Sequence, residues 1–380
     1  MSKKTDHIDW FILLSVVGLM LFSVAFVYSA SAAFADAHFG SSEKLLVNHG
    51  IRVVFGLLAV FVFARIDYHV WERLAKPAYI ISLGLLAIVL VSGARVKGAT
   101  RWIDMGYISF QPSELAKFAL VMFISAMLAE RTRSIGDFKR GVLPIVLWAL
   151  PCCGLIALQP NVSTAGALFL MMFVLLFIGN ARADHLSVMG FFTIVVGGVY
   201  ALSAPYRRNR ILAFLGLGDG MENNAAEKIN YQLKQALLAF GNGGITGVGP
   251  GRSIQRDFFL PESYGDFIYS IIGEEYGLIG ASIILIAFGI LLWRGLAVAK
   301  RAPDSFGRLL AAGITVVLVV YAVVNAGVTC GVLPTTGLPM PFISYGGTSV
   351  LFSSAAVGIL LNISSHAGVY PRRRNIASTE

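Results

Sequence analysis

Three groups of polar side chains in an otherwise apolar sequence have types and spacings that suit chemistry. The first is Gln111-Pro112-Ser113-Glu114-Leu115-Ala116-Lys117, which opens an apolar run with Pro112 where a helix starts well. Glu114 and Lys117 are three residues apart and share a helix face, and Gln111 joins them one turn earlier. Lys117 then lies roughly 7 to 8 Å below the helix start. An isolated charge at the centre of a membrane helix costs about 2.5 to 3.5 kcal/mol, so such residues are functional candidates. The alternative is that the pair neutralises itself while Lys117 snorkels outward. The second group is Leu260-Pro261-Glu262-Ser263-Tyr264-Gly265-Asp266-Phe267-Ile268, followed by Glu274-Glu275-Tyr276-Gly277. Asp266 stands where a connection becomes a helix, which suits an N-cap as well as a water-facing general base. Glu274 and Glu275 lie deeper in apolar sequence. They must pair with a cation, accept donors or be protonated, which makes them candidate braces.

The third group is glycine-rich, Gly241-Asn242-Gly243-Gly244-Ile245-Thr246-Gly247-Val248-Gly249-Pro250-Gly251-Arg252. It has no Gly-Lys-Ser/Thr ending and no preceding strand, so it is neither a P-loop nor a dinucleotide fingerprint. Its backbone amides can line an anion site, or the stretch is a flexible re-entrant turn. A last stretch, Leu333 to Ser349, holds three prolines and several hydroxyls but no charge. Irregular backbone at membrane depth has to be buried in protein or line a wet cavity, and this one reads as a shaped wall.

The elements that must position these groups follow from composition. The chain has 380 residues, 56% hydrophobic and only 13% charged, about half the charge of a soluble domain. That identifies an integral membrane protein and excludes soluble enzyme folds. Apolar runs of bilayer length, about 17 to 25 residues, start near Trp10, Val47, Pro77, Pro112, Val142, Val162, Leu186, Phe267, Phe306 and Tyr345. The expectation is therefore an all-α membrane protein of about ten transmembrane helices, a single polytopic domain over 1–380. The first run is read as a retained helix, since more spans follow it and no separate cleavage site is evident. No repeat of fixed period is evident.

Lys3 and Lys4, Arg65, Arg73 and Lys76, Arg131, Arg133, Lys139 and Arg140, Arg182, Arg294, Lys300, Arg301 and Arg308, and Arg372 to Arg374 fall in alternate connections. By the positive-inside rule both termini are cytoplasmic. The net charge of +9 is thereby assigned to topology, and no nucleic-acid partner is expected. The outer face receives residues 93–111, the turn Gln159-Pro160-Asn161, a large loop 204–265 between the seventh and eighth helices, and residues 331–344. The first of these carries Arg95, Lys97 and Arg101, the wrong sign for an outer loop. An anionic partner outside accounts for it, or the summed bias tolerates it. Glu227 to Phe240 reads as an amphipathic helix, lying on the membrane surface or packed on the bundle ends. Cys152, Cys153 and Cys330 lie in apolar surroundings, with no spacing for a disulfide framework or zinc, and read as small core residues.

The stretches Gly98-Ala99-Thr100-Arg101-Trp102-Ile103, Gln111 to Lys117, Pro261-Glu262-Ser263 with Asp266-Phe267-Ile268, Glu274-Glu275-Tyr276-Gly277, and Pro341-Phe342-Ile343-Ser344-Tyr345-Gly346-Gly347 resemble the signature blocks of the SEDS proteins, FtsW, RodA and SpoVE. The resemblance spans nearly the whole chain in the right order. Gly247 to Gln255 is closer to the FtsW type than to RodA. One departure is visible: the family's Gln/Glu-Pro-Asp-x-Gly is here Gln159-Pro160-Asn161-Val162-Ser163, which removes a carboxylate at 161.

The resemblance implies a peptidoglycan glycosyltransferase of the bacterial cytoplasmic membrane, with its active site on the extracytoplasmic side. It would polymerise lipid II, an undecaprenyl-diphosphate-linked disaccharide peptide, together with a class B penicillin-binding protein and other division or elongation proteins. Asp266 matches the family's essential aspartate, the expected base. Arg101, Glu114 and Lys117 match charged positions of the same cavity. With Gln111, Arg252 and Glu262 they form the expected substrate-binding set. A divalent cation, magnesium or manganese, bridging Asp266 and the diphosphate is the one cofactor considered. The readings from other classes are a lipid II flippase, which lacks the expected inverted repeat and matched broken helices, and a non-catalytic scaffold for a transpeptidase.

Overall fold

The computed structural model describes residues 7–92, 94–96, 99–104, 109–214, 224–260 and 263–368. Lys3, Lys4, Lys97, Gly98, Pro261, Glu262 and the basic tail Arg372 to Arg374 lie outside the described residues.

The chain runs through α1 (Trp10–Phe39), α2 (Lys44–Arg65) and α3 (His69–Ser92), three strands β1 (Ala94–Val96), β2 (Ala99–Asp104) and β3 (Ser109–Phe110), then α4 (Pro112–Glu130). A π-helical turn, Phe138–Val142, leads into α5 (Leu143–Leu158), followed by α6 (Val162–Ile178) and α7 (Ala183–Leu202). The long loop folds as α8 (Pro205–Phe214), α9 (Asn224–Gly243) and α10 (Ile254–Phe258). The bundle closes with α11 (Ile268–Arg301), α12 (Ser305–Thr329) and α13 (Gly347–His366). Among the described residues nine helices are long and apolar enough to cross a bilayer. The wholly uncharged α6, at 17 residues, is at the lower limit for a span and makes the tenth. The chain is a multi-pass membrane protein.

All ten runs expected from the sequence are helices, and the amphipathic stretch before Phe240 lies in α9. The connection 93–111 differs from a plain loop: β1, β2 and β3 form a three-stranded antiparallel sheet. Strands of two to six residues are too short to show a period in sequence.

Burial separates a central from a peripheral set. α4 buries 89% of its apolar window, α13 83% and α12 78%, whereas α7 buries none. Side chains on such an outer helix gain nothing from leaving lipid, so only packing and polar contacts bring helices inward. Glycine provides that packing between α2 and α13: a Cβ on Gly56 would stand 3.0 Å from Ser354 Oγ, and one on Gly358 2.7 Å from Val60 O. Interior hydroxyls return their protons to helix carbonyls, as Ser82 does to Tyr79 O (2.7 Å) and Thr315 to Ala311 O (2.7 Å).

The start of α1 and the end of α13 meet at one end of the bundle. Asp9 N donates to Ser364 Oγ (3.0 Å), and the Asp9 carboxylate pairs with Arg294 at 2.7 Å. At the same end Asp304 caps α12 through Gly307 N (2.8 Å) and accepts from the Tyr68 hydroxyl. The groups singled out for chemistry gather at the opposite end.

Candidate active site

Asp266 sits in the connection entering α11 but does not cap it. The N-cap position belongs to Phe267, which makes no side-chain cap hydrogen bond. The N-cap reading of Asp266 is therefore corrected. Its main chain is fixed instead. Asn325 Nδ2, from α12, donates to both Asp266 O and Leu338 O at 2.8 Å. Ser344 Oγ donates to Gly265 O (2.9 Å) while accepting from Met340 N (2.8 Å), and Tyr345 N donates to Tyr264 O (2.9 Å). Ser263 Oγ reaches Ala30 O on α1 at 2.9 Å. The uncharged stretch 333–346 is thus a shaped wall, as expected, and it also aims Asp266. Gly337 is the point of contact, with φ of +69° and room for a Cβ only at 3.3 Å from Asp266 Oδ2.

The half-buried Asp266 opens into a cavity of about 70 Å³ lined also by Arg210, Gln232, Asn325, Thr335 and Thr336. Arg210, from α8, donates to Thr335 O at 3.0 Å. Among the described residues, the positions expected for substrate binding, Arg101, Gln111, Glu114, Lys117 and Arg252, do not line this cavity, with one indirect link. Lys117 Nζ donates to Glu114 Oε2 at 2.8 Å, both side chains at most 4% exposed, so Lys117 does not snorkel. Its ammonium lies 4.2 Å from the centroid of the Tyr321 ring, a favourable cation–π contact. Tyr321 stands one helical turn, about 6 Å, from Asn325 on α12, and Asn325 holds Asp266.

Arg101, on β2, is spread over the turn after α5. Its Nε donates to Gln159 O at 2.9 Å and its guanidinium also reaches Pro160 O. Gln159 in turn donates to Leu86 O at 3.0 Å. Gln111 donates to Ser113 Oγ at 3.0 Å, and Arg252 is exposed on the glycine-rich turn. Arg210, Gln232 and Asn325 were not among the expected site residues. Asn325 carried a signal, an amide inside an apolar span, but a polar residue in a helix does not reveal which loop it will meet.

The glycine-rich stretch is neither an anion cradle nor a flexible turn. It splints a break in α11 at Gly277, whose φ is +65°. Val248 N and Gly249 N donate to Glu274 O and Glu275 O (both 3.0 Å), and Leu278 N and Ile279 N return bonds to Gly244 O (2.9 Å) and Ile245 O (3.2 Å). The amides of Val248 and Gly249 are therefore used on α11. Contact is closest at Gly243 and Gly247, where a Cβ would lie 2.0 Å from Gly273 O and 2.2 Å from Glu275 O. The two glutamates brace the same junction. Glu274 accepts from Asn242 Nδ2 (3.0 Å) and from Ser253 Oγ, while Glu275 accepts from Ser29 Oγ (2.5 Å) and lies 3.4 Å from Arg256 Nη1. Cys152 and Cys153 are core residues, but Cys330 is exposed, contrary to expectation, because it follows the last turn of α12.

Among the described residues no three His, Cys, Asp or Glu side chains converge as a metal site. The cavity nevertheless offers hard oxygens: the Asp266 carboxylate, and the Thr335 and Thr336 hydroxyls and Asn325 Oδ1, all three buried without a partner. Such a set fits a divalent cation that takes further ligands from phosphate and water.

Comparison with known proteins places these features. The family model for cell cycle proteins of the FtsW, RodA and SpoVE type matches residues 9–368. A protein from Geobacter metallireducens called probable peptidoglycan glycosyltransferase FtsW is 40% identical over 365 residues, 96% of each chain. Stage V sporulation protein E of Bacillus subtilis is 36% identical over 373 residues, 96% of this chain and 99% of its own. Among solved structures, a chain from a peptidoglycan synthase complex that coordinates polymerization and crosslinking superposes with a TM-score of 0.77 at 29% identity, covering 96% of this chain and 99% of that one. The rod shape determining protein RodA of Thermus thermophilus superposes with a TM-score of 0.69 at 29% identity, covering 96% and 98%.

Proposed function

This chain belongs to the FtsW, RodA and SpoVE family of cell cycle proteins, and on that premise we propose that it is a peptidoglycan glycosyltransferase that polymerises lipid II. The observation that carries the chemistry is a carboxylate, Asp266, presented to a cavity by hydrogen bonds to its own backbone rather than consumed as a helix cap. Lipid II is already activated by its diphosphate, so the chain needs no nucleotide. Asp266 takes the proton of a sugar 4-hydroxyl as that oxygen bonds to the anomeric carbon of the other substrate. The bond to the diphosphate breaks, and polyprenyl diphosphate leaves with the electron pair. A general base of this kind contributes about 10² to 10⁴ in rate.

Arg210 lines the same cavity and supplies positive charge beside the carboxylate. The Lys117–Glu114 pair acts through Tyr321 and Asn325 on the placement of Asp266. Arg101, Gln111 and Arg252 are the further proposed substrate contacts, together with Glu262, which lies outside the described residues. Bound magnesium or manganese, held by Asp266 and the Thr335 and Thr336 hydroxyls, would neutralise the departing diphosphate.

The reaction faces the outside of the bacterial cytoplasmic membrane, since Asp266 lies at the end opposite Arg294 and Arg308, where the basic connections collect. A class B penicillin-binding transpeptidase is the proposed partner, supported by the likeness to a chain of a peptidoglycan synthase complex. The division type is favoured over the elongation type by 40% identity to a protein named FtsW against 29% to RodA.

The test is polymerisation of labelled lipid II by the purified protein with its transpeptidase partner, whose crosslinking is blocked, comparing wild type with folded, partner-binding Asp266→Asn. Glycan ladders from wild type that vanish in the variant are expected. Equal ladders remove Asp266 as the base. No ladder from a competent wild-type complex transfers the assignment to lipid transport or scaffolding.

A further inference from the structure

The two cations expected at a substrate phosphate are engaged by the protein itself, Lys117 by Glu114 and Arg101 by the carbonyls of Gln159 and Pro160. Arg52 is in a different state. It lies in α2 roughly 12 Å along the helix from Lys44, is half-buried, and has no hydrogen bond or ion pair with any described residue. Its one polar contact is with the face of Tyr345, 4.4 Å from guanidinium carbon to ring centroid. That contact leaves the N–H edges of the guanidinium unmatched by any acceptor among the described residues.

The packing of α2 on α13 places this group. Gly56 against Ser354 and Gly358 against Val60 set the register, and Asn362 locks it by donating to Ala64 O (3.0 Å) and accepting from Tyr68 N (2.9 Å). In that register Arg52 falls on the first residue of α13, where a Cβ on Gly347 would stand 3.2 Å from its Nε. Two independent features of that helix end favour an anion. α13 begins at Gly346 with no side chain capping it, so its first amides have no side-chain acceptor. Thr348, in the first turn, is 5% exposed, and its Oγ1 has no partner. The site also adjoins the reactive wall, because Tyr345 stacks under Arg52 and bonds through its amide to Tyr264 O, two residues before Asp266.

We propose that Arg52, the first-turn amides of α13 and the Thr348 hydroxyl form a subsite for the diphosphate of a lipid-linked substrate. The identity of that substrate rests on the glycosyltransferase reading; the site rests on the geometry. A guanidinium edge presents paired donors that match two phosphate oxygens, and an uncapped helix N-terminus is a recurrent phosphate site. Glycine at 346 and 347 lets the ligand approach the backbone. Arg52 performs no bond making. It holds the lipid's charged head while the sugar reaches Asp266.

The experiment measures binding of farnesyl diphosphate to the full-length protein in detergent by titration calorimetry, with farnesol and phosphatidylglycerol as comparison ligands. Arg52→Gln is expected to weaken farnesyl diphosphate by about 10- to 100-fold, as for loss of charge-assisted hydrogen bonds. Arg52→Lys should recover part of that loss, and farnesol should bind equally to all forms. Thr348→Val, which leaves the guanidinium in place, should weaken the diphosphate by a few-fold, a reading that stands if Arg52→Gln does not fold. Wild-type affinity in folded Arg52→Gln or in Thr348→Val overturns the subsite. So does a dependence on Arg52 of phosphatidylglycerol binding alone, which would make the group a headgroup anchor. A wild type that makes no glycan yet shows Arg52-dependent diphosphate binding defeats the polymerase reading and leaves the subsite standing.

Discussion

Asp266 and the Glu274–Glu275 pair are carboxylates on one stretch of chain, and the protein treats them in opposite ways. The glutamates are buried, at 0% and 2% exposure, and their oxygens are met by Asn242, Ser253, Ser29 and Arg256. Asp266 is half-buried in a cavity wall, and Asn325 holds its main-chain carbonyl. A carboxylate whose acceptors are filled by the protein is a brace, because every proton donor it needs is already fixed in place. One that lines a cavity is presented to a ligand. The break at Gly277 lies just beyond the braces, so they and the glycine splint fix the angle at which the upper turn of α11 carries Asp266.

That contrast can be broken by exchange of roles. The largest effect is expected at Asp266→Asn: polymerisation falls by about 10² to 10⁴ while the thermal unfolding midpoint stays at the wild-type value. A midpoint that falls with the activity would make Asp266 a brace as well. Arg256→Met should do the reverse. Leaving Glu275 buried beside a lost cation costs about 3 to 5 kcal/mol, read as a lower unfolding midpoint, with activity reduced only as far as the splint loosens. Full stability in this variant would show that Ser29 and the Gly251 amide suffice for Glu275. Asn325→Leu lies between the two classes. It removes donors from Asp266 O and Leu338 O, at about 1 to 3 kcal/mol for groups left unsatisfied. Its loss of polymerisation should appear in kcat rather than in KM, because the cavity walls remain while the carboxylate loses its aim.

The two carboxylate classes were only partly legible in the sequence. Ten spans and the Glu114–Lys117 pair followed from run length and from a spacing of three, both local properties of a helix. The bracing role of Glu274 and Glu275 followed from the cost of a bare charge in apolar surroundings. What was not legible depends on contacts between distant segments. Asn325 meets residues 266 and 338, Arg210 meets Thr335, and the glycine-rich stretch pairs with Glu274 and Glu275 across a break that one glycine permits. Arg52 interrupts an apolar run as visibly as Lys117 does. Lys117 finds its partner one turn away on its own helix, whereas the surroundings of Arg52 are set by the register of α2 on α13.

A third carboxylate at the far end of the bundle sharpens the distinction with the smallest expected effect. Asp67, between α2 and α3, accepts from His69 N at 2.9 Å and from the His69 ring at 2.7 Å. Partial burial pushes its carboxyl upward, but these hydrogen bonds, with the charges of His69 and His366, outweigh it and hold the group below its ordinary value. A depressed value means that the contribution to stability is present above the unfolded value, near pH 4 in round terms, and disappears as pH falls through the lower folded value. With the Asp67 side chain 57% exposed, solvent screens most of that contribution. Asp67→Asn should therefore leave polymerisation unchanged and lower the unfolding midpoint only slightly at neutral pH, a difference that disappears below about pH 4. A loss of activity at pH 7 in this variant would mean that the inner end of the bundle is coupled to the Asp266 cavity, and the separation of bracing from reacting carboxylates would no longer hold along the length of the molecule.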